Sequence, residues 1–429
     1  MPLLIITALL YFIQSPLSID CKANRDIKIT GVADTKELSE KLDRNYLGSG
    51  SYGDVYKLYL RETNLEAGKD ILVSVDPVAG AVPVAMKLFK DTSFKQANPS
   101  AHPSIIKEKM FSKLQDESNR IEAINKVDDA VAPTVYYCGE SLRGLMFIIM
   151  EYVDTSLDRS LKNIKCELNL EERLDMLIGV STIVARLHEN FIAHCDIKPS
   201  NIGIFEASRK YKLLDLGIAK INERCTGGTM AYMAPEIKTS RGVKAVNGMP
   251  SDVYSLGIMF WDIESNCNKE LLKANDLFLQ KKVSRYEIDS VVQDTSKFSV
   301  IKLHDRYKDD VKGLFYYNVL KALHIIFSYA IREDIAVRPS SMFLRDNVSL
   351  LQELHNFGLE CDSNDMRHIL YANLILGKIK FKSRLEEIQE QLTLLKTYID
   401  TANSQEEEEG RIEDVPDEQK PGEEIKIYI

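Results

Sequence analysis

The spacing of apolar and polar residues marks out the elements of this chain. Residues 3–13, L-L-I-I-T-A-L-L-Y-F-I, form an apolar run of eleven. That is the length of a signal-peptide core and too short to span a bilayer. Apolar alternation on both sides of residues 47–55 predicts two strands of a hairpin. Residues 62–80 are mixed in polarity and read as an extended strand connection. Ser104 suits a helix N-cap, and the helix it opens carries Glu108. Over 168–190, Leu170, Leu174, Leu177, Ile178 and Val184 fall on one helical face. The apolar stretch 313–331 is interrupted by Lys321 and His324, which predicts a packed helix and no transmembrane span. Ser383 with Glu386 forms a capping box. After it Leu385, Ile388, Leu392, Leu395 and Ile399 repeat at heptad spacing, so residues 383–400 either pair with a partner helix or pack back on the domain that precedes them.

Length and charge narrow the classes. A chain of 429 residues suggests two or three domains, and 45% hydrophobic content supports a sizeable core. The net charge is −9, but residues 401–429 hold ten acidic and three basic side chains, so the remainder is near neutral. No basic footprint for nucleic acid exists. The acidic tail from 401, poor in aromatics, predicts disorder. Seven cysteines are scattered without a C-x-x-C pair, which argues against zinc or a thioredoxin-like role. Their scatter reads as the stray thiols of a cytosolic enzyme. The N-terminal run reads the other way, as a signal peptide over 1–20 and entry into the secretory route; a cytoplasmic protein is the alternative. In a secreted chain Asn347-Val348-Ser349 is the usable glycosylation sequon, since Pro99 blocks Asn98.

The chemistry lies in residues 192–217, I-A-H-C-D-I-K-P-S-N-I-G-I followed by L-D-L-G. Asp196, Lys198, Asn201 and Asp215 have the spacing that phosphoryl transfer from a nucleotide needs: a carboxylate for the acceptor hydroxyl, an amide and a second carboxylate for magnesium, a lysine for the transferred charge. The string H-C-D-I-K-P-S-N resembles the catalytic loop of eukaryotic protein kinases, with Cys195 where most members have Arg. Other motifs join it: L-G-S-G-S-Y-G-D-V at 47–55, V-A-M-K at 84–87, L-M-F-I-I-M-E-Y-V at 145–153, G-T-M-A-Y-M-A-P-E at 228–236, D-V-Y-S-L-G at 252–257 and A-V-R-P-S at 336–340.

That resemblance covers about 42–357. It implies an α+β, bilobal protein-kinase fold, with a small β-rich N-lobe at about 42–149 and a larger α-helical C-lobe at about 154–357. A helical extension at 358–400 and the tail follow. The implied activity is ATP-dependent phosphorylation of Ser or Thr in protein substrates, with Mg2+. Asp196 would position and deprotonate the hydroxyl, Lys198 would stabilise transferred charge, and Asn201 and Asp215 would hold magnesium. Gly48, Gly50 and Gly53 would let backbone amides reach the phosphates, with Leu47, Val55, Ala85 and the gatekeeper Met150 around the nucleotide. The backbone of Glu151 and Val153 would bond the adenine edge. Lys87 would bridge the phosphates and pair with Glu108, with Glu117 as fallback. Thr229, Glu236, Asp252 and Arg338 are structural, Arg338 pairing with Glu236. Gly203, where the family often has leucine beneath the adenine, implies a roomier floor. Cys195 cannot supply the charge that meets a phosphorylated activation segment. Thr226 is the plausible phosphosite there and Arg224 beside it a substitute cation, but the short segment has less chain entropy to lose on ordering, so activity is expected without phosphorylation. The reading from another class is a nucleotide-binding pseudokinase or scaffold acting through its C-terminal helices.

Overall fold

The computed structural model describes residues 22–23, 27–30, 35–50, 52–61, 71–141, 144–163, 168–221, 224–240, 246–265, 311–360, 366–380 and 384–409. The expected signal segment, the expected cap Ser383 and the acidic tail past 409 lie outside them. The chain divides into two compact units, residues 1–301 with 326–349, and residues 302–325 with 350–429.

The first unit opens with an eight-stranded sheet. Its strands are β1 (Lys22–Ala23), β2 (Ile27–Thr30), β3 (Tyr46–Gly50), β4 (Gly53–Arg61), β5 (Ile71–Ser74), β6 (Ala81–Phe89), β7 (Val135–Glu140) and β8 (Met146–Glu151). Their order is β1-β7-β8-β6-β4-β5-β2, with β3 on β4. Helix α1 (Thr35–Arg44) precedes β3. The hairpin expected around 47–55 is β3 and β4. Part of the supposed 62–80 connection is a strand: Ile71–Ser74 pairs antiparallel with β4 and parallel with β2. The sequence Ile-Leu-Val-Ser is β-prone, and Ile71 and Val73 are buried against Leu58, Leu60 and Phe147.

Period-two alternation sorts the sheet's side chains between two cores. Val84, Met86, Phe147 and Ile149 belong to one cluster. Phe89, Met146 and Ile148 belong to the other, with Ile106, Met110 and Leu114 of a long helix. Lys87 shares the parity of Phe89, which directs it to the helix side. After α2 (Asp91–Ala97) that helix is α3 (Pro103–Val127); its N-cap is His102, whose ring nitrogen accepts the Ser104 N–H, so Ser104 is inside the helix and not its cap. Proline in the first turn explains the earlier start.

The helical part follows: β9 (Thr155–Ser156), α4 (Leu157–Asn163), α5 (Leu170–Glu189), β10 (Ile192–Ala193), β11 (Ile202–Phe205), β12 (Lys210–Leu213), β13 (Lys220–Ile221), β14 (Arg224–Cys225), α6 (Pro235–Ser240), β15 (Val246–Asn247), α7 (Gly248–Ser265), α8 (Val311–Ala330) and α9 (Ser341–Glu360). Asn169 and Glu172 close a capping box on α5. Its buried face includes Leu170, Leu174, Leu177 and Val184, and its C-terminus leads into β10. Asn347 is buried in α9 and donates its amide to the Phe343 carbonyl, 2.8 Å away. The folded chain therefore does not present the expected sequon.

In the second unit α10 (Met366–Lys378) packs on α11 (Leu385–Glu409). Ile388, Leu392, Leu395 and Ile399 are buried, and Tyr371 lies 4.4 Å from Tyr398 between ring centroids. The heptad seam is thus covered by the preceding helix of the C-terminal extension, which is neither the expected partner helix nor the expected kinase surface. Helix α11 runs to Glu409, past the expected edge at 400, because glutamates propagate helix well. Among the described residues no helix is long and apolar enough to cross a membrane.

Candidate active site

A cleft of about 440 Å³ lies between sheet and helical part of the first unit. Sheet elements supply Leu47, Gly48, Gly50, Val55, Ala85 and Lys87; the β8 end and the residues after it supply Met150, Glu151 and Val153; the loops around β11 and β12 supply Lys198, Asn201 and Asp215. Gly53 does not line it. A Cβ there would stand 2.2 Å from the Leu88 carbonyl oxygen, so this glycine permits close approach of β4 and β6. The expected roomy floor at Gly203 is also filled: a Cβ would meet Val153 at 2.8 Å and Leu214 at 3.1 Å. Leu214, in the cleft lining, occupies the space.

Lys87 Nζ lies 2.5 Å from Glu117 Oε1 and 3.4 Å from Asp215 Oδ1. The expected partner Glu108 is exposed. At about 3.6 residues per turn, nine positions put Glu108 half a turn from Glu117, and only the face with Ile106, Met110, Leu114 and Glu117 is buried. Burial opposes the charge on Lys87, but the carboxylates of Glu117 and Asp215 outweigh it and raise its pKa. Two further cations of α3, Lys113 and Arg120, both donate to the Gly217 carbonyl. Sequence reasoning missed them, as it missed Arg159 of α4, which donates to the Leu47 carbonyl across the cleft mouth. Only the phase of α3 could have signalled the first two; nothing local signals Arg159.

Asp196 is fixed from three directions. The Thr229 N–H donates to Oδ1 at 2.7 Å, Lys198 Nζ lies 2.8 Å from Oδ2, and Asn201 Nδ2 donates to Oδ2 at 3.1 Å. Lys198 also donates to Thr229 Oγ1 at 2.8 Å. Burial would raise the Asp196 pKa; the bonds from Lys198 and Thr229 reverse this and hold it below the usual carboxylate range. Asp215, in the left-handed region at φ 53°, behaves likewise: burial raises its pKa, and Lys87 more than offsets that. Asn201 commits its amide nitrogen to Asp196, leaving its carbonyl oxygen. With the Asp215 carboxylate this is an oxygen donor set of the kind magnesium takes, so the residues fit the expected ion.

The loop carrying Asp196 is anchored from beneath. Buried Asp252 accepts the N–H groups of His194 at 2.6 Å and Cys195 at 2.8 Å. Its Oδ2 is also 3.1 Å from His188 Nε2. Arg338 grips Glu236 with two bonds, 2.7 and 2.8 Å, and Ser251 adds a third. Cysteine scatter misled the sequence reading. Cys195 and Cys225 form a disulfide, and Cys138 is half of another. Residues distant in sequence meet in space, which spacing alone does not reveal.

Residues 43–314 match the model of the protein kinase domain. The serine/threonine-protein kinase MPS1 of Encephalitozoon cuniculi is 31% identical over 166 residues, 36% of this chain and 26% of that protein. The dual serine/threonine and tyrosine protein kinase of Takifugu rubripes is 28% identical over 57% of this chain and 22% of its own length. The serine/threonine-protein kinase PknB of Mycobacterium leprae is 29% identical over 42% of this chain and 29% of its own. The matched region is thus about a quarter of the length of these curated relatives.

Proposed function

The chain belongs to the protein kinase family, and on that premise we infer that it transfers the γ-phosphate of ATP to Ser or Thr hydroxyls of protein substrates. One observation carries this reading: Lys87, Lys198, Asn201 and Asp215 share a cleft, and two of them, Lys198 and Asn201, together with the Thr229 N–H fix the Asp196 carboxylate beside it. Asp196 would orient the acceptor hydroxyl and take its proton. Lys87, held by Glu117, would fix the phosphates. Asn201 and Asp215 would hold magnesium, which supplies charge against the phosphates when bound. Lys198 would follow the transferred group, and its bond to Thr229 supports a Ser/Thr acceptor.

The apolar run at 3–13 and the disulfides at Cys195–Cys225 and Cys138 support a secretory location, since such bridges persist in oxidising compartments. The substrates would then be lumenal or extracellular proteins.

The test is phosphorylation of a general protein acceptor with Mg2+ and ATP by wild type and Asp196→Asn, followed by phosphoamino-acid analysis. Phosphoserine or phosphothreonine formed by wild type alone is the expected result. Phosphotyrosine would overturn the specificity. Nucleotide binding without transfer would make the chain a pseudokinase acting as a scaffold.

A further inference from the structure

The disulfide between Cys195 and Cys225 joins the residue immediately before Asp196 to the segment that carries Thr229. Their Cα atoms are 5.5 Å apart and thirty positions separate them in sequence. The closed loop contains Asp196, Lys198, Asn201 and Asp215. Cys225 is 1% exposed and sits in β14, paired with β15. Neither sulfur-bearing residue lines the nucleotide cleft.

The surroundings are built for this bridge. Cys195 holds φ 68°, a backbone conformation rare outside glycine, and its N–H is tied to Asp252. Gly248 opens α7 against the bridge: a Cβ there would stand 2.7 Å from the Cys225 sulfur and 2.4 Å from the Ala193 Cβ. Gly228, at φ 146°, passes so close that a Cβ would meet the Cys195 carbonyl oxygen at 2.5 Å. One residue later the Thr229 N–H reaches Asp196. The bridge, the glycine contact and the Thr229 bond therefore act in succession on the same two pieces of chain.

Cys195 carries no charge. Of the three hydroxyls between Ile218 and Met233, Thr229 accepts from Lys198 and Tyr232 donates to Asp262. Thr226 is exposed.

We propose that the Cys195–Cys225 disulfide is the tether that positions the Thr229 segment on Asp196, so that turnover depends on this bridge. Both cysteines are positioning residues. The proposal rests on the kinase reading above. Opening the bridge is an exchange with a dithiol: the S–S bond breaks, two S–H bonds form, and the dithiol supplies two electrons and two protons as it closes to its own disulfide. Glutathione disulfide reverses it, leaving two glutathione thiols.

The experiment uses the full chain from a eukaryotic secretory host, mapped by non-reducing peptide mass spectrometry. Turnover, KM for ATP and hydrogen exchange over 224–233 are measured for wild type, Cys195→Ala and Cys225→Ala, before and after dithiothreitol. Dithiothreitol should lower wild-type kcat by about tenfold or more while KM for ATP moves by less than about threefold. Exchange over 224–233 should rise. Both variants should start at the reduced level and ignore dithiothreitol, and glutathione disulfide should restore wild type alone. Free thiols at both positions in the mapped protein would overturn the proposal. So would equal loss in wild type and Cys225→Ala, which places the effect at the Cys138 bridge. If oxidised wild type transfers no phosphate, the kinase reading fails; exchange on reduced wild type still decides whether the tether orders the segment, and unchanged exchange overturns it.

Discussion

Lys87 and Glu117 form a buried pair, 2.5 Å apart, with side chains 6% and 2% exposed. Their geometry separates two glutamates of one helix. Glu117→Gln should lower kcat/KM by at least about tenfold and reduce stability by about 1–3 kcal/mol, because Lys87 then keeps only the longer contact to Asp215. Glu108→Gln should leave both within about twofold and about 0.5 kcal/mol. Steady-state kinetics and urea unfolding of the two variants check this.

Asp196→Asn should cost orders of magnitude in turnover with the fold and nucleotide affinity retained. Thr229 and Asn201 can still bond an amide at that position in part, so thermal unfolding should shift little. Loss of nucleotide binding in this variant would mean that Asp196 shapes the cleft and does not act on the acceptor.

Arg338 and Glu236 set a pH dependence. Burial alone would raise the Glu236 pKa, and Arg338 drives it below its ordinary value. Such a carboxylate contributes stability above its unfolded pKa and loses that contribution as pH falls through the folded value. Wild-type stability should therefore hold down to about pH 4 and fall below it. Arg338→Leu should remove about 3–5 kcal/mol at neutral pH, and its deficit should shrink in acid as Glu236 protonates. Chemical denaturation across that range measures both.

Gly53 and Gly50 should part company. Gly53→Ala forces a Cβ onto the Leu88 carbonyl and should lower the melting temperature. At Gly50 a Cβ would have its nearest neighbours at 3.9 Å, an ordinary contact, so Gly50→Ala should keep stability and alter nucleotide affinity. A nucleotide titration beside a thermal melt distinguishes them.

Expression in a eukaryotic secretory host should yield a processed species beginning near residues 16–22. N-terminal sequencing reads the result directly. A cytosolic product retaining Met1 would remove the secretory reading.

Much of the fold and site was legible because its signals are local. Asp196, Lys198 and Asn201 lie within six consecutive residues, and the glycine motif lies in one hairpin. What failed depended on phase or on distance. Glu108 and Glu117 are equally plausible as letters; the buried stripe of α3 decides between them. Ile71–Ser74 becomes a strand only because β4 and β2 flank it. Gly203 implied empty space, yet Leu214 from another strand end fills it. No local pattern announces that Cys195 and Cys225 meet, or that the seam of α11 finds its cover on α10.

The carbonyl of Gly217 receives both Lys113 and Arg120 from α3. This couples the turn after Asp215 to the helix that packs on the sheet. A displacement of α3 would therefore carry the turn after Asp215 with it, because the two cations hold that carbonyl from the same helix that carries Glu117.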